Sequence, residues 1–105
     1  MAKYLLVVHG GGMPETDEDQ ARVMAAWTDW YGTMGASVAD PGNPIGRAMT
    51  IATDGSVSEG GGANPASGYA VIEAESIDDA VAKSKGCPIL MSGGSIEVAE
   101  TFDVM

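Results

Sequence analysis

The sequence predicts an α+β protein with a ferredoxin-like βαββαβ order, in which two helices cover one face of a four-stranded antiparallel sheet. Three observations predict it. The chain begins with an apolar strand at residues 3–9, two later segments have helical spacing between a hydroxyl residue and a glycine, and Ser95 to Phe102 alternates apolar and polar residues. At 105 residues, the chain is expected to form a single domain over residues 1–105.

The first strand and the first helix carry the clearest patterns. Residues 3–9 are apolar on both faces, which is typical of a central strand. Residues 10–14 predict a loop. Thr16 is then placed to cap a helix whose first turn is acidic, and Gly35 ends it. The apolar stripe of this helix consists of Val23, Trp27, Trp30 and Met34, widened by Met24 and Tyr31.

The middle of the chain is richer in glycine and proline. Residues 37–40 predict a short second strand or a sheet edge, and residues 41–44 predict a loop. Residues 48–53 predict a strand that ends in a tight turn at residues 54–55. The polar segment 56–67 is either a mobile loop or the end of a hairpin.

The last third repeats the order strand, helix, strand. Residues 68–74 predict a strand, Ser76 is placed to cap a second helix that Gly86 ends, and residues 87–94 form a connection. In the final strand, the side chains predicted to face the core are Ile96, Val98 and Phe102, while Glu97 and Thr101 belong to the more polar face.

The helices of this arrangement can cover only one face of the sheet. The other face carries apolar groups of the first strand beside Glu97 and Thr101. A surface of this kind needs a partner, so the sequence predicts a homodimer formed through the sheet face around a part-polar cavity.

Composition excludes several classes of function. The net charge of −10 argues against binding nucleic acid or an anionic membrane, because no basic stripe is available to neutralise phosphates. The lone Cys87 excludes an intrachain disulfide, and no zinc-ligand set accompanies it. We expect no metal and no cofactor. Residues 4–8 are too few for a signal-peptide core or a membrane span, so a cytoplasmic location is expected.

Several segments resemble the YciI-like (YCII-related) family, near the branch that carries an Asp-Gly-Pro-Phe motif. The matching segments are residues 68–81 (GYAVIEAESIDDAV), 86–88 (GCP), 3–8 (KYLLVV) and 95–98 (SIEV). The resemblance implies a dimeric α/β barrel with a pocket near the sheet ends. One branch of the family resembles enzymes that remove halide from hydroxylated aromatics.

The chain departs from the family pattern at two places. Residues 59–62 read Glu-Gly-Gly-Gly where the branch would have Asp-Gly-Pro-Phe. A helix-borne histidine that other members pair with an aspartate falls near Met24, a side chain that cannot transfer a proton. The acid–base pair of the family is therefore not in its usual place.

His9 is the main candidate for chemistry, since it is the only histidine and it ends a buried strand before Gly10 to Gly12. An imidazole there could transfer a proton, with Asp40 or a carboxylate of a partner subunit beside it. Alternatively, His9 only makes a hydrogen bond to a loop carbonyl. An esterase-type oxyanion loop is excluded because residues 93–97 do not complete Gly-x-Ser-x-Gly.

A ligand-binding surface is expected from Met24, Trp27, Tyr31 and Glu97. Core packing is the alternative for the aromatic residues, and an interfacial hydrogen bond is the alternative for Glu97. The function predicted from these residues is a cofactor-free lyase or isomerase that uses His9 and a carboxylate such as Asp40 or Glu97 on a small organic ligand. A non-catalytic ligand-binding or accessory module is the second reading, and dimerisation for a larger complex is the third.

Overall fold

The computed structural model describes residues 2–11 and 15–102, so Gly12, Met13 and Pro14 of the predicted loop lie outside the described residues. Two helices lie on one face of a four-stranded antiparallel sheet. The elements in chain order are β1 (Ala2–His9), α1 (Asp17–Met34), a 3-10 turn (Gly35–Ser37), β2 (Val38–Asp40), β3 (Met49–Ile51), β4 (Val57–Glu59), β5 (Ala66–Ala74), α2 (Ile77–Ser84), a second 3-10 turn (Pro88–Ser92) and β6 (Ser95–Glu100).

The main sheet has the strand order β2-β5-β1-β6, with all neighbours antiparallel. This order confirms the predicted ferredoxin-like α+β fold. Strand β1 is central, as its apolar residues on both faces predict: Leu5 lies opposite Val71 of β5 on one side and opposite Ala99 of β6 on the other.

The predicted strand at residues 48–53 is shorter and lies outside the main sheet. It pairs with β4 in a separate two-stranded hairpin whose turn spans residues 52–56. The reason is that the edge of β5 is already occupied. The amide of Ile45 donates to the carbonyl of Ser67 at 2.9 Å, and the amide of Tyr69 donates to the carbonyl of Asn43 at 3.3 Å.

The core lies between the sheet and the helices. Leu6 of β1 and Ile72 of β5 are 1% and 0% exposed, and Trp30 and Met34 of α1 pack over them. Trp30, from the predicted apolar stripe of the first helix, is a buried core residue, and its indole N–H donates to the carbonyl of Lys83 at 3.0 Å.

The prediction that Phe102 faces the core is wrong. Strand β6 ends at Glu100, which lies opposite Tyr4, and the Phe102 side chain is 80% exposed. The last link between the two strands is the amide of Thr101, which donates to the carbonyl of Lys3 near the beginning of β1. Beyond that point β1 offers Phe102 little surface to pack against.

Both predicted helix caps are confirmed. The Thr16 hydroxyl accepts a hydrogen bond from the amide of Asp19 at 3.0 Å, and the Ser76 hydroxyl accepts one from the amide of Asp79 at 3.1 Å. Capping residues satisfy amides that have no partner within the helix. Gly35 ends α1 with a φ of 54°, a backbone conformation that favours glycine.

We expect the single thiol to make the protein less stable at alkaline pH. Burial raises the pKa of Cys87, and the amide of Ile89 opposes this only in part. The unfolded thiol, with a pKa of about 8.5, loses its proton first. Its contribution to the free energy of unfolding is therefore complete below that pH and is lost as the pH rises through the folded pKa. Urea unfolding from pH 7 to 10 measures this loss, and Cys87→Ala should lose less stability over that range.

Candidate functional site

The alternation of β1 turns His9 away from the helices. Val8 is buried in the core, so His9 and Val7 belong to the opposite face of the sheet, which we call the open face. Neither described helix covers this face. Even so, the His9 side chain is only 12% exposed, because residues 64–65 fold against it.

Two backbone carbonyls hold one side of the imidazole ring. Nδ1 of His9 lies 3.0 Å from the carbonyl oxygen of Asn64 and 3.3 Å from that of Pro65. Carbonyl oxygens only accept hydrogen bonds, so Nδ1 must carry the proton and donate it. This contact determines the tautomer of the neutral ring and leaves the lone pair on Nε2.

The other side of the ring faces a carboxylate. Nε2 of His9 lies 3.4 Å from Oε1 of Glu97, at ion-pair distance but without hydrogen-bond geometry. Among the buried side-chain nitrogens and oxygens of residues 2–11 and 15–102, Nε2 is the atom without a hydrogen-bond partner. The β1–β6 register explains the contact, since His9 pairs with Ser95 and Glu97 follows two residues later on the same face.

This arrangement is suited to moving one proton. When Nε2 is protonated, the ring and Glu97 form an ion pair. When it is not, a basic lone pair lies beside a carboxylate that is 64% exposed and free to move aside. A ring oriented through Nδ1 with its reactive nitrogen at Nε2 is a common design for a general base.

Tight backbone packing holds the His9 end of β1 in place. A Cβ atom on Gly94 would lie 2.5 Å from the carbonyl oxygen of His9 and 3.0 Å from the amide nitrogen of Gly11. Glycine is therefore required at position 94, where the connection before β6 crosses the end of β1. From the sequence, Gly94 could be assigned only to a connection. The adjacent glycines at positions 93 and 94 are the signal that could have indicated this close approach of two backbone segments.

The predicted partner Asp40 lies away from His9. Its register position is level with Val71 and Leu5, two strands and four residues from His9, which corresponds to about 16 Å. Its carboxylate accepts a hydrogen bond from the amide of Gly42 at 2.8 Å. The structure therefore brings His9 to Glu97 and leaves Asp40 as a residue that stabilises a turn.

The predicted ligand-binding residues of α1 lie in the helical layer, across the sheet from His9. Trp27 and Tyr31 are partly buried against the core, with ring centroids 6.0 Å apart, and the Tyr31 hydroxyl donates to the carbonyl of Pro41 at 2.9 Å. Burial is the main cause that raises the pKa of Tyr31, with Cys87 and Asp40 adding to it. Met24 is 68% exposed. Of the four predicted residues, only Glu97 is beside His9.

Two grooves open on the helical side of the molecule. One, of about 240 Å³, lies between α2 and β6, and the other, of about 650 Å³, lies between the helices beside Trp30 and Met91. Neither is lined by a residue of the predicted site. From the sequence, the hydrogen-bond partner of His9 could be predicted only as an unspecified loop carbonyl. In the structure, the carbonyls of Asn64 and Pro65 orient the ring.

The fold and the site together define a ferredoxin-like α+β protein with a histidine–carboxylate pair on its uncovered sheet face. No group of three or more histidine, cysteine or acidic side chains within the described residues could hold a metal ion. Neither described helix is long and apolar enough to cross a membrane.

Comparison with known proteins finds similarity among solved structures. No family model matches the chain, and no curated protein matches it. Among solved structures, the chain is similar to 5-chloro-2-hydroxyhydroquinone dehydrochlorinase from Burkholderia phenoliruptrix AC1100, in complex with 2,5-dihydroxybenzoquinone. The TM-score is 0.49 and the identity is 18%, over 89% of this chain and 90% of that chain.

Proposed function

We propose that this protein is a cofactor-free lyase or isomerase that binds a small organic ligand at the open face, with His9 as its general base. One observation carries the proposal. The Nε2 atom of His9 is buried, has no hydrogen-bond partner, lies 3.4 Å from Glu97, and belongs to a ring that two carbonyls orient through Nδ1.

The proposed step is removal of a proton from a carbon acid. Nε2 takes the proton from a C–H bond of the ligand, and the electron pair of that bond moves into the ligand framework. In a lyase it then expels a leaving group, whereas in an isomerase a proton returns at another carbon. The Glu97 carboxylate stabilises the imidazolium formed in the first step.

A second copy of the chain is part of this proposal. Leu5, Val7 and Val71 are partly exposed apolar side chains on the open face. A homodimer formed through this face would cover them and exclude water from the neighbourhood of His9, which strengthens its interaction with Glu97. The same proposal includes membership of the YciI-like family, which residues 68–81 and 86–88 support. It also includes a cytoplasmic location, which is in keeping with the unpaired Cys87.

The proposal can be tested without knowing the natural substrate, by using 5-nitrobenzisoxazole. A base removes its ring C–H proton, the electron pair forms a nitrile, and the N–O bond breaks to release a coloured phenolate. We expect the protein to accelerate this reaction, and His9→Ala to lower the rate at least about tenfold, because general-base catalysis contributes about 100-fold or more. Glu97→Gln should lower it less.

The matched control for Glu97 is Glu100→Gln, a carboxylate on the same strand that lies opposite Tyr4 rather than beside His9. Its rate should equal that of the wild type. Nitrogen NMR of the single histidine should also show the proton on Nδ1 in the neutral ring. A wild-type rate no higher than that of free imidazole at the same concentration would contradict the catalytic proposal.

A non-catalytic binding or accessory module is the alternative, and one observation favours it. The hydrogen bonds from Nδ1 tie residues 64–65 to the end of β1, which is a structural role for the ring. In that case the protein would bind a probe such as catechol, detected as a change in the His9 NMR signals, without accelerating the elimination reaction.

A further inference from the structure

The hairpin of β3 and β4, residues 49–59, is exposed along its whole length, and we call it the arm. Its register pairs Met49 with Glu59, Thr50 with Ser58, and Ile51 with Val57. Alternation puts Met49, Ile51 and Val57 on one face, where they are 49%, 71% and 59% exposed. Glu59, which lies opposite Met49, is at the end of the same face. The other face carries Thr50 and Ser58. The arm therefore has one largely apolar face that no other segment of the described residues covers.

The arm is held in shape by its own polar contacts. The Thr50 hydroxyl donates to the carbonyl of Gly60 at 2.6 Å, the amide of Gly60 donates to the carbonyl of Ala48 at 2.9 Å, and Arg47 pairs with Glu59 at 2.6 Å. A two-stranded hairpin alone is only marginally stable in water and gains stability by packing an apolar face. A preformed hairpin with that face exposed is suited to packing on another molecule.

We propose that the apolar face of the arm packs against a second copy of this chain. This inference rests on the proposed homodimer and adds apolar surface to it. A stable interface buries about 800 Å² on each partner, and the arm adds its apolar side chains to those of the open face.

The shape of the chain is consistent with this role. Its extents are 43 × 41 × 18 Å, so the molecule is broad and thin, with one sheet and one helical layer. Among the described residues, the core lies on the helical side and includes none of the arm.

Charge also favours a second copy over a charged partner. The chain carries a net charge of −10, yet residues 41–59 contain one basic residue, Arg47, and two acidic ones, Asp54 and Glu59, for a net charge of −1. The ion pair of Arg47 with Glu59 cancels two of these charges and leaves that of Asp54. Two acidic copies therefore meet at the arm with little charge repulsion.

The test is the oligomeric state of arm variants, measured by sedimentation equilibrium between 1 and 100 µM. Met49→Ser/Ile51→Ser/Val57→Ser removes the apolar face, and Ser58→Ala is the control on the other face. We expect a wild-type dimer, a dissociation constant at least 100-fold higher in the triple variant, and no more than a threefold change in the control. Circular dichroism should show both variants folded.

Val7→Lys, on the open face, distinguishes this inference from the proposed function. If Val7→Lys dissociates the dimer and the triple variant does not, the inference about the arm is wrong and the sheet-face dimer stands. If the reverse holds, the arm forms the dimer without the sheet face. A wild-type monomer at 100 µM overturns both. Amide hydrogen exchange of the wild-type arm gives a second measurement, since protection of Thr50 and Ser58 should increase with protein concentration.

Discussion

Replacing Gly42 with alanine is expected to lower the free energy of unfolding by about 3 kcal/mol or more, among the largest effects of any single substitution. A Cβ atom there would lie 1.7 Å from the carbonyl oxygen of Tyr69 and 2.6 Å from its carbonyl carbon. The obstacle is backbone of strand β5, which cannot rotate away. The residue also has a φ of +71°, which costs a non-glycine residue about 1–2 kcal/mol. Substitution must therefore separate the chain after β2 from β5.

Gly55→Ala is the matched control for this prediction. Gly55 has a φ of +89°, but no heavy atom lies within 4 Å of its Cβ position. Gly55→Ala should therefore lower the free energy of unfolding only by the cost of the backbone conformation, about 1 kcal/mol. Urea unfolding of both variants, followed by circular dichroism, measures the difference. Equal losses in the two variants would show that the close approach of Gly42 to Tyr69 does not constrain the fold.

Ile72→Ala should lower the free energy of unfolding by about 3–4 kcal/mol. Ile72 is 0% exposed, lies opposite Tyr4 of β1 and opposite Val38 of β2, and belongs to the core beneath the helices. Truncation removes apolar contacts and leaves a cavity that the surrounding strands cannot close. A loss of this size is a large part of the 5–15 kcal/mol that stabilises a typical domain.

Ile77→Ala makes the same chemical change at an exposed position. Ile77 is 42% exposed at the start of α2, where alanine is a better helix former than isoleucine. We expect a loss below about 1 kcal/mol. Urea unfolding of both variants at one pH makes the comparison. The slope of the free energy of unfolding against urea concentration must be the same in the two variants. A loss at Ile72 no larger than at Ile77 would contradict the assigned core.

Local patterns predicted the parts of the fold that depend on neighbours in the chain. Thr16 and Ser76 were identified as caps because a hydroxyl before an acidic first turn satisfies amides of the same helix. The sequence predicted the strand at residues 48–53 and its turn, with a hairpin end as one alternative for residues 56–67. It did not predict that the hairpin lies outside the main sheet, because this depends on which segment occupies the edge of β5. That place is taken by residues 43–45, and the sequence alone does not reveal the competition.

Only part of the candidate site could be predicted from the sequence, because the rest also depends on segments that are distant in the chain. In the sequence, His9 and Glu97 can each be selected as an ionisable residue on a strand with an apolar face. The two residues lie near opposite ends of the chain, and nothing in the sequence shows that they meet. Their contact depends on the β1–β6 register. Asp40 had an equal claim as a carboxylate, and the register of β2 on β5 separates it from the ring.

By itself, the sequence determined the fold class and the two helices with their caps, because apolar periodicity and capping act over a few residues. The tertiary structure alone decided which carboxylate meets His9, which carbonyls orient its ring, and that β3 and β4 stand apart as an arm. Those outcomes depend on strand register and on competition for sheet edges, which are set by packing between segments distant in the chain.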